Sequence, residues 1–151
     1  MDLITVALLS PGDMGHSVGA VLVANDLRVI SCLEGRSERT RGLAEKAGIE
    51  AVDSYAEMVC EAQMVISIIV PAEVEQVATR VAEALKETGE QIVYVDCNAI
   101  APETAKRVVV VIEATGSRAV DTGIIGGLRA ARIAVRVFIL LVRIRGVYAA
   151  K

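Results

Sequence analysis

Short apolar runs alternate along this chain with segments whose apolar residues recur every three or four positions. The runs have the length of buried strands, and the segments between them have the spacing of amphipathic helices. Such an alternation predicts βαβ units with right-handed crossovers, and therefore an α/β fold with a largely parallel sheet. The predicted strands are Leu3–Leu9, Arg28–Leu33, Glu50–Val52, Met64–Val70, Gln91–Val95 and Ala119–Asp121.

The helices between these strands have recognisable faces and ends. Apolar positions from Val74 to Leu85 fall on one face of the helix that follows the fourth strand. Gly48 and Gly89 are natural helix ends, since glycine adopts the left-handed conformation of a C-terminal cap. Pro102 opens the last helix, where a missing N–H costs nothing.

The composition suits a buried parallel sheet and argues against several other classes of protein. Hydrophobic residues make up 54% of the 151 residues and aromatic residues only 3%. No apolar run reaches the roughly 18 residues that span a membrane, and the N-terminus lacks the basic segment of a signal peptide. The three cysteines match neither a disulfide pattern nor a zinc spacing. We therefore expect a cytoplasmic protein with no membrane contact and no bound metal.

The net charge of −3 hides an asymmetry along the chain. Residues 1–127 hold all 19 acidic and 10 of the 16 basic side chains, a net charge of −9, whereas residues 128–151 carry a net +6. The body of the chain has no basic stripe and few aromatic side chains for base stacking, so we expect no nucleic-acid partner. The cationic end leaves open a salt-sensitive association with anionic surfaces.

The segment Ser10-Pro11-Gly12-Asp13-Met14-Gly15 follows the first predicted strand and opens the first predicted helix. Glycine at position 12 lets the backbone approach a pyrophosphate, and glycine at position 15 lets the helix pack on the strand. The N–H groups and positive dipole end of the helix would face the anion. All six residues are candidate cofactor-binding residues of a Rossmann-type, doubly wound sheet, although serine stands where the G-x-G-x-x-G pattern has its first glycine.

The turn after the second predicted strand holds residues that suit an adenosine ribose. Gly35 lets the turn close, and Arg36 with Ser37 provides a guanidinium and a hydroxyl for the 2′-phosphate of NADP. Glu34 supports the alternative, NAD, because a carboxylate here accepts hydrogen bonds from the 2′-hydroxyl. We favour NADP, with NAD as runner-up. It stays open that Ser37 only caps a helix and that Arg36 is a solvated loop charge.

Three further strand ends carry polar or glycine-rich turns on the same predicted edge, where open α/β sheets bind their ligands. Val70-Pro71 follows the fourth strand and is a candidate cofactor-binding pair. Asn98, in the segment Asp96–Pro102, is a candidate for both cofactor and substrate binding. Gly126-Gly127, after the sixth strand, is a candidate substrate-binding pair, and no residue is assigned a catalytic role.

Residues 3–127 resemble the N-terminal domain of the β-hydroxyacid dehydrogenases, the group of 6-phosphogluconate and 3-hydroxyisobutyrate dehydrogenases. The family's Gly-x-Gly-x-Met-Gly motif matches Ser10–Gly15 except at its first position, and its Asn-Arg-Thr turn is similar to Gly35–Ser37. Its Val-Pro strand end matches Val70-Pro71. Its Asp-x-Ser segment is similar to Asp96–Pro102, and its Ser-Gly-Gly element aligns with Ile125–Gly127. The resemblance implies an NADP-dependent oxidoreductase acting on a small hydroxy acid.

Two departures from the family bear on activity. Ile125 stands where the family has a serine that contacts substrate, and the family's catalytic lysine lies in a helical C-terminal domain with no counterpart up to Lys151. We therefore expect little or no turnover from this chain alone. A non-catalytic dinucleotide-binding or interaction module is the alternative. Apolar surface that the helical domain would cover predicts a homo-oligomer.

The sequence divides into a dinucleotide-binding domain, residues 1–127, and a basic, apolar tail, residues 128–151. Residues Ile133–Ile144 are so rich in β-branched and apolar side chains that a strand is favoured at least as much as a helix. The change of charge at the boundary also fits a truncated or non-native end, and both interpretations stay open.

Overall fold

The computed structural model describes residues 4–122, in which parallel strands form one sheet between two layers of helices. The strand order is β3-β2-β1-β4-β5-β6, and every neighbouring pair is parallel. The predicted α/β class with a Rossmann-type parallel sheet is confirmed. The strands are β1 (Thr5–Leu9), β2 (Arg28–Cys32), β3 (Glu50–Val52), β4 (Met64–Ser67), β5 (Val93–Asp96) and β6 (Arg118–Asp121).

Helices connect successive strands and begin and end at the residues that favour helix termini. Ser37 and Ser54 accept hydrogen bonds from backbone N–H groups in the first turns of α2 and α3. Gly48 and Gly89 end α2 and α4, each with φ of +74°. A 3-10 turn, Pro71–Glu73, precedes α4. The helices are α1 (Asp13–Val23), α2 (Glu38–Ala47), α3 (Tyr55–Glu61), α4 (Val74–Thr88) and α5 (Pro102–Glu113).

Side chains that alternate along the strands form two separate cores, one on each face of the sheet. Leu8 of β1 packs with Leu22 of α1 on the face covered by α1 and α2. Ala7 and Ile30 face the opposite core, which α3, α4 and α5 cover. Each large side chain buried in this way contributes about 1.5–3 kcal/mol. Burial on both faces explains why the strands are nearly continuous apolar runs.

Strand order reverses at β1, because the chain runs outward through β2 and β3 and then crosses to β4 on the other side. The connections that leave β1 and β4 therefore diverge to opposite faces of the sheet. This divergence opens a crevice at the carboxyl ends of the two strands, which is the usual ligand position in open α/β sheets. We call this region the β1/β4 crevice.

Five of the six described strands differ from their predicted bounds, and for β4 the structure shows a local physical reason. β4 stops at Ser67 rather than Val70, because the Ile69 N–H donates to the side-chain Oδ1 of Asn98 at 2.8 Å instead of to a neighbouring strand. β5 covers Val93–Asp96 rather than Gln91–Val95. An apolar run shows that a segment is buried, but hydrogen-bond partners from elsewhere decide where the ladder ends.

Of the two glycines expected to pack closely on the sheet, Gly15 and Gly19, the close approach occurs at Gly19. A Cβ at Gly15 would meet only ordinary contacts, at 3.8 Å. A Cβ at Gly19 would lie 2.6 Å from Ile49 Cδ1 and 3.1 Å from Leu8 Cδ1. Gly19 is therefore the residue that lets α1 lie against the strands.

Several predicted features lie outside the described residues. These are Gly126, Gly127, the domain boundary and the tail of residues 128–151. Over residues 4–122, the helices are too short or too polar to cross a lipid bilayer.

Candidate functional site

The turn between β1 and α1 has the backbone geometry of an anion cradle, with one strained position. Ser10 has φ of +49°, in the left-handed region that favours glycine. A Cβ added at Gly12 would meet no atom of the described residues within 4 Å, so its backbone faces open space. Among the described residues, no side chain caps the N-terminus of α1. The segment between β1 and α1 therefore suits a phosphate group, which could accept hydrogen bonds from the backbone N–H groups in the first turn of α1.

Asp13 and Met14 open α1 beside this turn, and Pro11 is buried below it. The carboxylate of Asp13 pairs with Arg39 of α2. An acidic group in the first turn would repel a pyrophosphate, and this ion pair reduces that repulsion. Neither the pair nor Arg39 was expected from the sequence, because the two residues are 26 positions apart.

The turn after β2 closes as predicted and presents Arg36 towards the β1/β4 crevice. Gly35 has φ of +69°, and the Arg36 N–H donates to the Leu33 carbonyl at 3.1 Å. The Arg36 guanidinium donates to Glu73 Oε2 at 3.1 Å and is largely buried. Burial disfavours the charged guanidinium, but the hydrogen bond to Glu73 and the adjacent Tyr55 outweigh it and raise the pKa of Arg36. Arg36 is thus an ion-paired cation at the crevice and not a freely solvated charge.

Ser37 caps α2. Its Oγ accepts the Thr40 N–H at 3.2 Å and lies 3.1 Å from the Thr40 hydroxyl. The exposed N-terminus of α2 therefore stands next to Arg36, and a helix N-terminus beside a guanidinium is a favourable place for a phosphate. Capping is observed, and phosphate binding by Ser37 stays a prediction.

Val70 and Pro71 lie at the opposite wall of the crevice, after β4. Both are exposed, and the Val70 side chain retains 57% of its accessible surface. The Glu73 N–H donates to the Val70 carbonyl at 3.0 Å and closes the 3-10 turn. An exposed valine at a strand end suits contact with an apolar part of a ligand.

Asn98 ties the ends of β4 and β5 together through its side chain. Its Oδ1 accepts the Ile69 N–H at 2.8 Å, and its Nδ2 donates to Ser67 Oγ at 2.9 Å and to Asp96 Oδ1 at 2.8 Å. The residue is buried, with 9% of its surface exposed. Its side-chain amide therefore has a structural function, and its contact with cofactor or substrate stays a prediction.

β5, which ends two residues before Asn98, carries two buried polar groups that were not expected from the sequence. Asp96 Oδ2 and the Tyr94 hydroxyl are both buried without a hydrogen-bond partner among the described residues. Burial raises the pKa of Asp96, although hydrogen bonds from Asn98 oppose the shift. Burial, with the neighbouring Asp96 and Asp121 carboxylates, raises the pKa of Cys97 to about 12. Cys97 is therefore a protonated, unreactive thiol near neutral pH.

Chemistry other than anion binding finds little support in this part of the chain. Between residues 4 and 122, no three His, Cys, Asp or Glu side chains come together as a metal site. His16 Nδ1 lies 2.8 Å from the Gly12 carbonyl, which places the ring at the turn after β1. The candidate site therefore consists of two elements whose features suit an anion, the turn of residues 10–15 and the Arg36 turn, beside one crevice.

A sequence model of the NAD-binding domain of 6-phosphogluconate dehydrogenase matches residues 5–139 of this chain. The chain belongs to this family. The match to the 6-phosphogluconate dehydrogenase family continues past the boundary predicted at Gly127, and it identifies the chain as a dinucleotide-binding domain of that family. The predicted resemblance is confirmed.

Two curated proteins are similar in sequence to this chain. The chain is 31% identical over 137 residues to a 3-hydroxyisobutyrate dehydrogenase of Pseudomonas aeruginosa, which covers 89% of this chain and 45% of the relative. It is 30% identical over 103 residues to an uncharacterised 28.5 kDa protein of Methanothermus fervidus, which covers 68% of this chain and 38% of the relative. The chain thus spans less than half the length of these relatives.

Solved structures share the fold. A conserved protein of unknown function, described as structurally similar to 3-hydroxyacid dehydrogenases, matches with a TM-score of 0.72 and 27% identity, over 83% of this chain and 45% of that one. The 3-hydroxyisobutyrate dehydrogenase of Mycobacterium tuberculosis matches with a TM-score of 0.71 and 24% identity, over 85% of this chain and 43% of that one. The latter similarity concerns the fold alone.

Proposed function

We propose that this chain binds NADP, as the nucleotide domain of a 6-phosphogluconate or 3-hydroxyisobutyrate dehydrogenase-like oxidoreductase that acts on a hydroxy acid. The observation that carries the choice of NADP is the position of Arg36. This guanidinium lies at the carboxyl end of β2, next to the N-terminus of α2 and facing the β1/β4 crevice. A dianionic 2′-phosphate would find a planar cation and a positive helix end at one place.

The pyrophosphate is assigned to the turn between β1 and α1. Gly12 presents open backbone there, and the N–H groups of the first turn of α1 have no side-chain cap among the described residues. These two features are what a pyrophosphate needs, because it brings several oxygen acceptors and no donors. The remaining candidates, Val70, Pro71 and Asn98, would border the nicotinamide half. The bound nicotinamide would supply the hydride chemistry, and the protein would position it.

Substrate binding is assigned to Gly126 and Gly127, as the family resemblance implies. We also propose that the protein acts on a hydroxy acid, forms a homo-oligomer and is located in the cytoplasm. NAD remains the runner-up cofactor because Glu34 is exposed at the same turn.

Comparing NADPH with NADH in fluorescence titrations of the purified chain tests the proposal. We expect tighter NADPH binding, and we expect Arg36→Ala to weaken NADPH by roughly tenfold to a hundredfold while leaving NADH almost unchanged. This range corresponds to one hydrogen-bonded charge contact. Arg107→Ala is the matched control, because it removes the same charge from α5, where Arg107 pairs with Glu75.

The outcomes separate the alternatives. A preference for NADPH that survives Arg36→Ala means that Arg36 is not the 2′-phosphate ligand. A preference for NADH in the wild type favours the runner-up cofactor. If neither dinucleotide binds or raises the melting temperature, the cradle is not a cofactor site, and an interaction module becomes the better interpretation.

A further inference from the structure

The guanidinium proposed to bind the 2′-phosphate already has an anionic partner inside the protein. Arg36 Nη1 donates to Glu73 Oε2 at 3.1 Å. The Arg36 side chain is 19% exposed and the Glu73 side chain 42% exposed. The pair is therefore neither a fully solvated surface contact nor a buried core ion pair, and a ligand that enters the crevice can reach both groups.

Backbone geometry holds the two residues of the pair on opposite sides of the crevice. Arg36 follows Gly35 in a turn closed by its own N–H on the Leu33 carbonyl at 3.1 Å. Glu73 ends the 3-10 turn closed on the Val70 carbonyl at 3.0 Å, and α4 begins at the next residue. Both positions are thus set by short hydrogen-bonded turns. The ion pair connects the end of β2 to the end of β4 across β1.

The guanidinium also has a polar neighbour that is not acidic. Tyr55, at the start of α3, lies beside Arg36, and Arg80 of α4 lies 6.0 Å from the centre of its ring. Neither residue brings a carboxylate to the guanidinium. Glu73 is therefore the acidic group that contacts Arg36 among residues 4–122.

We propose that Glu73 competes with the 2′-phosphate for Arg36 and so sets how strongly the domain prefers NADPH over NADH. A phosphate that takes Arg36 must either separate it from Glu73, which loses the attraction of opposite charges, or accept the carboxylate as a close neighbour, where like charges repel. NADH brings no phosphate to this position and leaves the pair intact. This inference rests on the proposed function, because it requires Arg36 to be the phosphate ligand.

Glu73→Gln tests the competition, because it keeps the shape of the side chain and removes its charge. We expect NADPH to bind about two- to fivefold more tightly, which is the range of a partly exposed ion pair. NADH affinity should not change. Glu75→Gln is the matched control. It removes the same charge two residues away, where Glu75 pairs with Arg107 and not with Arg36, and should change neither affinity.

The double variant Arg36→Ala/Glu73→Gln shows whether Glu73 acts through Arg36. We expect Glu73→Gln to have no effect on NADPH binding once Arg36 is alanine. If its gain persists there, the carboxylate repels the ligand directly and competition is wrong. If Glu73→Gln alone weakens NADPH binding or leaves it unchanged, Glu73 does not compete, and the inference fails while the proposed function stands. If Arg36→Ala alone does not affect the preference, Arg36 is not the 2′-phosphate ligand, and the role proposed for Arg36 fails together with this inference.

Discussion

Replacing Ser10 with glycine tests whether the first position of the glycine turn stores backbone strain. The residue has φ of +49°, in the left-handed region, where a side chain costs about 1–2 kcal/mol. Glycine removes that strain but loses about 0.5–1 kcal/mol through the greater freedom of the unfolded chain. We expect Ser10→Gly to raise the free energy of unfolding by about 0.5–1 kcal/mol, or the melting temperature by about 1–4 °C.

Urea denaturation of three variants measures this effect. Ser10→Ala keeps the Cβ and therefore the strain, so it should not stabilise the protein. Asp26→Gly is a matched control at a second left-handed position, with φ of +61°, in the turn before β2. It should stabilise by less, because aspartate tolerates this conformation better than serine does. If Ser10→Gly lowers stability, or if Ser10→Ala raises it as much, backbone strain is not the property that matters at this position.

The packing of α1 and the buried carboxylate yield two further predictions, each with a simple measurement. Gly19→Ala should lower the free energy of unfolding by about 0.5–1.5 kcal/mol, because its Cβ would meet Ile49 at 2.6 Å and overpacking outweighs the gain in helix propensity. Gly42→Ala, on the open side of α2, is the control and should raise the free energy of unfolding by about 0.5–1 kcal/mol. Equal effects at both positions would contradict the packing argument. Burial raises the pKa of Asp96 above its ordinary value of 3.8, so the folded state binds the proton more tightly than the unfolded state does. The contribution of Asp96 to stability therefore falls as pH rises from about 4. Urea titrations should therefore show Asp96→Asn gaining stability relative to the wild type as pH rises from about 4, and a difference that stays constant with pH would contradict the shift.

The bounds of the strands show which features of the fold a local sequence pattern can predict. β3 begins and ends at its predicted residues, because Asp53 and Ser54 follow it with clear turn chemistry. β4 is three residues shorter than its apolar run, since Asn98 takes the hydrogen bond that would have continued the ladder. A residue 29 positions away cannot be recognised from the apolar pattern itself.

The candidate site likewise has features that could be predicted from the sequence and features that could not. The turns at residues 10–15 and 35–37 were predictable, because glycine and serine mark them in the sequence and the edge of a parallel sheet brings them together. The partners of the charged residues were not predictable. Glu73 lies 37 positions from Arg36, and Arg39 lies 26 positions from Asp13.

The strand–helix alternation, the parallel sheet and the sheet edge that carries the candidate site could all be predicted from the sequence. Hydrophobic period and turn residues are local properties, and they suffice for those features. Three features become visible only in the folded chain: Gly19 rather than Gly15 makes the close contact with the sheet, the Asn98 side chain joins the ends of β4 and β5, and Glu73 pairs with Arg36. Each of these depends on atoms brought together from distant parts of the chain, where distance and burial, rather than residue type, select the partner.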